Sequence, residues 1–347
     1  MTSNRTSSIL LAVLTFIAVV AVIKLLKTVL MPFMIALLLS FILSPIIAFL
    51  HRIKIPRGLA IAIVLLIFFG ALYLLGLFVY AGVNSFVDEF PKYQHRFIEI
   101  TKILSGWISE RIETPIDLFG YVDWAGMSRN LVRSFSGDFM QFVSSLVVII
   151  FFLIFILLEK PYFRIKLEKA FIHDTNTRIG RIMGHTNKQI GRYLGVKLFI
   201  SVVTGFLVGL SLSIIGMDFA VIWGFLAIVL NFIPNIGSLF VMLVTILMGF
   251  IQFFPSAGRI AAVIASMILI QLVMGNFLDP RMQGHRLNLS PLLLIFSLIL
   301  WGWLWGVVGM FLAVPIMAVI KIIFENIPIL QPIAIMMENG KKHPSLR

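Results

Sequence analysis

Asn231, Pro234, Asn235, Gly237 and Ser238 fall together in the stretch LNFIPNIGSLF, from Leu230 to Phe240. Residues of these types are suited to holding a polar molecule that carries no charge. Proline removes a backbone donor and blocks the preceding turn, and glycine permits backbone angles that other residues resist. A break of this kind frees amide N–H and carbonyl groups, and the two asparagines add side-chain donors and acceptors. A helix restarting at Gly237–Ser238 points its N-terminal donors and partial positive charge at the break. Phe219 to Phe254 is a run of 36 residues without one charged side chain. The group therefore suits an uncharged, oxygen-rich solute better than an ion.

Other chemistries have little material. There is no cysteine, which excludes disulfides, thiol catalysis and iron–sulfur clusters. The six histidines (51, 95, 173, 185, 285 and 343) fall outside the long apolar runs and show no metal-ligand pairing. No Walker-type phosphate loop is present. No catalytic residue, metal or cofactor is expected, so movement of a solute would draw on a gradient. Coupling to an ion needs a carboxylate, and Glu159, Asp218 and Asp279 stand at the ends of apolar runs, none deep within one. Asp279 is the best of them, with Arg281 two residues on. A helix-end ion pair at the membrane face explains Asp279 equally well, and Asp218 equally reads as the cap of a helix starting near Phe219.

The elements that carry these residues belong to lipid. Of 347 residues, 60% are hydrophobic and 12% charged, half the charge of a soluble domain. The apolar runs are continuous, not alternating, which indicates helices and excludes a β-barrel. Runs long enough to span lie at 8–26, 29–50, 59–83, 140–158, 196–217 and 260–278. The segment 51–58 carries +3 and 159–197 carries +6, whereas 84–139 carries −2. Lys and Arg stay on the cytoplasmic side, so both termini are expected inside and 84–139 outside. The net charge of +13 is mostly this topology signal, and no nucleic-acid partner is expected. Lys24 and Lys27 fall on the outer side as interfacial side chains. The basic stretch 159–197 is amphipathic and suits anionic lipid at the inner surface.

In the outer segment, Phe86, Phe90, Tyr93, Phe97, Ile100, Leu104 and Trp107 form a heptad seam, favouring a helical cap folded on itself over an oligomer contact or a lip over the membrane. Pro91 fits a first turn, so a helix is expected to begin near Asp88 after a break.

A 36-residue helix would be about 54 Å long, against a hydrocarbon core of about 30 Å. Run 219–254 must therefore turn, and Pro234–Ser238 is where it can. Run 289–320 repeats the pattern with Gly302, Gly306 and Gly309 at its break. Each follows a full span and has a polar residue near its entry, Asp218 and Asn288. Two half-length helices at each break describe hairpins that enter and leave on one face, in opposite orientations, as in inverted-repeat transporters. Ordinary kinks in ten packed spans would give the same topology, with pairs such as Gly205/Gly209 serving helix contact. The expected fold is an all-α integral membrane protein: about six spans, two opposed re-entrant hairpins and a helical extracytoplasmic segment. Its parts are helices 1–3 in 1–83, the outer segment 84–139, a fourth helix and basic region in 140–195, a transport domain in 196–325 and a tail in 326–347.

The motifs WGFLAIVLNFIPNIGS (223–238), GNFLDPRMQG (275–284) and LILWGWLWGVVGMFLAVP (298–315) resemble the autoinducer-2 exporter family of bacterial membrane proteins. The likeness covers nearly the whole chain, including Pro32 and Pro45. It implies a protein of the bacterial inner membrane that exports autoinducer-2, a small polyhydroxylated furanone, by an elevator-like motion, and it implies a homopentamer. It assigns importance to Pro234, Asn235, Gly237 and Ser238, to Asp279, Pro280, Arg281 and Gly284, and to Gly302, Gly306 and Gly309. Some family members are Na⁺(Li⁺)/H⁺ antiporters, which stands as the alternative function. A non-transporting membrane scaffold working through the outer segment is the third.

Overall fold

A computed structural model describes residues 2–112, 126, 144–163, 165–166, 176–283 and 289–339. The described residues are helices joined by short turns. In chain order they are α1 (Thr2–Leu25), α2 (Lys27–Arg52), α3 (Arg57–Ile112), α4 (Ser144–Phe163), α5 (Asn176–Ile215), α6 (Ala220–Leu230) and α7 (Ile236–Phe253). Then come α8 (Ala257–Ile270), which runs through a π-helical stretch (Gln271–Leu278) into α9 (Asp279–Gln283), and α10 (Pro291–Trp305), α11 (Val307–Asn326) and α12 (Gln331–Met336). Among the described residues, seven helices are long and apolar enough to cross a membrane, so the protein is an all-α, multi-pass membrane protein.

Both charge-free runs break. The first does so between α6, 11 residues long, and α7, 18 residues long. The second turns at Gly306, between the 15 residues of α10 and the 20 of α11. Each run folds back on itself. Gln252, at the end of the first, accepts from the Asp218 amide at 3.0 Å and donates to the Gly216 carbonyl at 3.2 Å. In the second, Leu293 and Leu294 near the start of α10 pack with Ile320 and Phe324 near the end of α11. Glycine permits both returns. A Cβ on Gly237 would sit 1.7 Å from the Leu230 carbonyl oxygen, and one on Gly309 would sit 1.9 Å from that of Trp301. Gly205 also serves helix contact, since a Cβ there would lie 2.4 Å from the Gly224 carbonyl on α6.

The outer segment departs from expectation. Pro91 lies inside α3, which runs unbroken for 56 residues, about 84 Å, beyond any bilayer. A mid-helix proline costs roughly 3 kcal/mol, and packing on both sides of it supplies the compensation. Phe86, before the proline, lies 5.6 Å ring to ring from Phe219, and Tyr93, just after it, packs on the same ring at 6.3 Å. Tyr93 and Ile100 of the heptad seam are buried. The side chains of Leu104 and Trp107, most of 113–143 and the tail beyond 339 lie outside the described residues.

The chain folds as two compact units. One comprises residues 1–62, 144–194 and 285–347, and holds the second hairpin; the other comprises 63–143 and 195–284, and holds the first. The core of the latter is built on Val208, Leu212, Ala227, Val241, Val263 and Met267, drawn from α5 to α8. In the former, α11 is buried continuously from Leu312 to Ala318, Pro315 included. The Lys24 ammonium rests 4.4 Å from the Trp303 ring, and the Trp305 indole donates to the Ile23 carbonyl at 3.3 Å.

Candidate functional site

The break of the first hairpin is a tight turn. Asn235 takes a positive φ of 59°, which asparagine tolerates better than most residues. The amides of Ile233, Ile236 and Gly237 bond inside the turn, to the carbonyls of Leu230, Pro234 and Ile233. These backbone donors close the turn, and the polar surface is made by side chains. Asn231, the residue after α6, is buried and donates to Ser201 Oγ of α5 at 3.1 Å. Ser238, in the first turn of α7, accepts from Gln271 Nε2 at 3.1 Å and donates to the Asn235 carbonyl at 3.3 Å. Asn231, Ser238, Gln271 and Thr204 line a small cavity whose other walls are apolar, including Val241 and Met267. Its volume of about 20 Å³ holds one water, so a solute larger than that requires the walls to part.

Gln271 opens the π-helical stretch, an irregularity frequent at functional sites. Its amide folds over Gly275, where a Cβ would meet Nε2 at 2.7 Å. Sequence pattern alone did not single out Gln271, Ser201 or Thr204. Each is visible as a polar residue within a run that reads as a plain span, but only tertiary structure shows that they face the break.

Pro234 is half-buried, Asn235 exposed and Gly237 buried at the turn. Gly302, Gly306 and Gly309 stand in the other unit, at the second break. Gly306 has φ 67°, which glycine adopts freely, and Gly302 faces Met310 closely. Beside them Trp301 and Trp305 are buried with ring centroids 4.9 Å apart, and the Trp301 indole N–H has no hydrogen-bond partner.

The charged candidates all have partners. Asp279 pairs with Lys197 at 2.8 Å, and the lysine is almost wholly buried. Arg281 instead lies over the Phe277 ring, 3.7 Å from its centroid. Glu159 pairs with Lys166 on an exposed surface. Asp218 accepts from the Tyr93 hydroxyl at 2.6 Å and from Lys92 at 3.1 Å. Burial opposes its charge, but the bonds from Tyr93 and Lys92 win and hold its carboxyl below the usual range. Pro280 is exposed, and Gly284 and Asn288 lie outside the described residues. Among the described residues no group of three or more His, Asp or Glu could hold a metal ion.

Known proteins give the arrangement its context. The family model described as AI-2E family transporter matches residues 10–329. The chain is 34% identical over 335 residues to a Borreliella burgdorferi protein named "Putative transport protein", covering 96% of this chain and 91% of the relative. It is 30% identical to the AI-2 transport protein TqsA of Escherichia coli (strain K12), with 90% of each chain covered. It is 22% identical to a sodium-lithium/proton antiporter of Halobacillus andaensis, covering 81% of this chain and 85% of that one. The family match spans nearly all the helices described above, and the chain belongs to the AI-2E transporter family.

Proposed function

We propose that this protein is a secondary transporter exporting a small, uncharged, polyhydroxylated solute of the autoinducer-2 type. The observation that carries this reading is the composition of the first hairpin break. Asn231, Ser238, Gln271 and Thr204 line one cavity, and no ionisable residue lines it with them. Hydroxyl-rich solutes need both donors and acceptors, which amide and hydroxyl side chains supply together. An ion would leave its charge uncompensated in so apolar a surrounding. The similarity to TqsA agrees with this chemistry.

In this reading the two hairpins are re-entrant and oppositely oriented, 196–325 acts as the transport domain, and both termini are cytoplasmic. Alternating access proceeds by an elevator-like motion in a homopentamer, both supported by the family resemblance. The residues assigned to solute are Asn231, Ser238 and Gln271, with Pro234, Asn235 and Gly237 shaping the turn. Gly302, Gly306 and Gly309 shape the second.

Cation/proton antiport is the second reading, and the similarity to the Halobacillus andaensis protein favours it, whereas the pairing of Asp279 with Lys197 fits the structural role of that carboxylate. One experiment separates the two. Purified protein in proteoliposomes is loaded with labelled autoinducer-2, and parallel vesicles carry Na⁺ and a pH-sensitive dye. The proposal expects protein-dependent efflux of the label and no Na⁺-driven pH change. The reverse pattern would overturn it.

A further inference from the structure

We infer that the unit formed by residues 1–62, 144–194 and 285–347 carries a binding site for a phosphate-bearing anion, filled by the headgroup of an anionic phospholipid. The site is a cavity of about 420 Å³ between the end of α2, the start of α3 and the end of α4. His51, Arg52, Arg57 and Lys160 all line it, and none of its lining residues is acidic. Gathering cations around one cavity without a carboxylate is unfavourable until an anion enters.

The donors are partly committed and partly waiting. Lys160 donates to Ser44 Oγ at 2.7 Å and lies 4.7 Å from the Phe41 ring centroid, which anchors its ammonium at the cavity wall. Arg57 spends one terminal nitrogen on the Leu157 carbonyl at 3.3 Å. Its Nε is buried and has no hydrogen-bond partner. A buried, charged donor without a partner marks a missing acceptor, and a phosphate oxygen is the acceptor that guanidinium fits best.

The walls decide between a lipid and a free phosphate. Ile47, Ala48, Leu157 and Pro161 supply apolar surface beside the cations. A free anion gains nothing from such walls, whereas a phospholipid places glycerol and the first acyl carbons against them. Part of the cavity wall is His51, Arg52 and Arg57 of the segment 51–58, the end that the positive-inside rule assigns to the cytoplasm, where anionic lipids concentrate. Binding here is independent of which solute is carried.

The test uses the full chain in zwitterionic phosphatidylcholine nanodiscs, with short-chain phosphatidylglycerol added and retained lipid counted by native mass spectrometry. Wild type is expected to retain phosphatidylglycerol over phosphatidylcholine. Arg57→Gln and Lys160→Gln should each weaken retention about tenfold, as loss of a charge-assisted hydrogen bond does. Lys54→Gln, in the same basic segment but outside the cavity, should leave it unchanged. Inorganic phosphate at millimolar concentration should not displace the lipid. Equal weakening by Lys54→Gln and Lys160→Gln would mean diffuse attraction and overturn the site. Displacement by phosphate would overturn its assignment to lipid. Wild type alone keeps the proposal exposed, because indifferent retention of the two lipids would overturn it without any variant.

Discussion

Gln271 and Asn231 hold the polar break together through one hydrogen bond each, to Ser238 and Ser201. Asn231→Leu should slow solute efflux by about tenfold, through one lost contact to solute and a hydroxyl left unpaired. Binding of the label measured on the same preparation separates loss of affinity from loss of turnover. Asp218 offers a prediction of another kind. Its folded pKa lies below the usual value, so the stability it contributes is complete above about pH 4 and is lost as pH falls through the folded value. Thermal midpoints taken at pH 7 and pH 3 should fall less in Asp218→Asn than in wild type. An equal fall would show that Asp218 contributes no linkage. The Lys197–Asp279 pair has one almost wholly buried member. Asp279→Asn should cost about 3 kcal/mol by stranding the lysine, and the double change Lys197→Met/Asp279→Leu should recover most of it. Chemical unfolding in detergent reads both.

Each hairpin has the same device, a residue with positive φ at the turn followed, on the returning arm, by a glycine against a carbonyl of the first arm. Gly237→Ala and Gly309→Ala should therefore both lower the unfolding temperature sharply, because the added Cβ meets backbone. Gly70→Ala is the control. Gly70 sits inside α3 with nothing within 4 Å of its would-be Cβ, so alanine there should stabilise by about 1 kcal/mol. A bulky replacement at Gly237 meets the same backbone. Gly237→Leu would disturb the turn itself, so lost transport in that variant does not locate the solute. The breaks were legible because proline and glycine within a run too long for one bilayer crossing leave the chain few choices. The continuity of α3 through Pro91 was not legible. It depends on Phe219, more than a hundred residues away in sequence, packing on Phe86 and Tyr93.

At the scale of the whole chain, hydropathy foretold a helical membrane protein, and seven span-length helices among the described residues agree. Two of them, α7 and α11, are hairpin arms expected to be half-length, and the expected first span falls short of span length. The motifs around Pro234, Pro280 and Gly306 pointed to the family that the comparison shows. Side-chain partners were the least legible layer. Arg281 stood beside Asp279 in sequence, yet the carboxylate pairs with Lys197 from α5. Gln271 is a single polar residue within an apolar span, and only the fold brings Ser238 of α7 to it. Pairings of this kind join residues tens of positions apart, and local pattern carries no record of them. The two compact units likewise group distant segments, so that residues 195–284 fold with the extension of α3 while 285–347 fold with α1 and α2. Solute binding at the first hairpin is tested most directly by efflux of labelled autoinducer-2 from proteoliposomes containing equal amounts of wild type, Gln271→Leu and Gly70→Ala. Rapid efflux is expected from wild type and Gly70→Ala, and a loss of about tenfold in Gln271→Leu. Unchanged efflux in a folded Gln271→Leu would contradict the claim that the polar break of the first hairpin holds the solute.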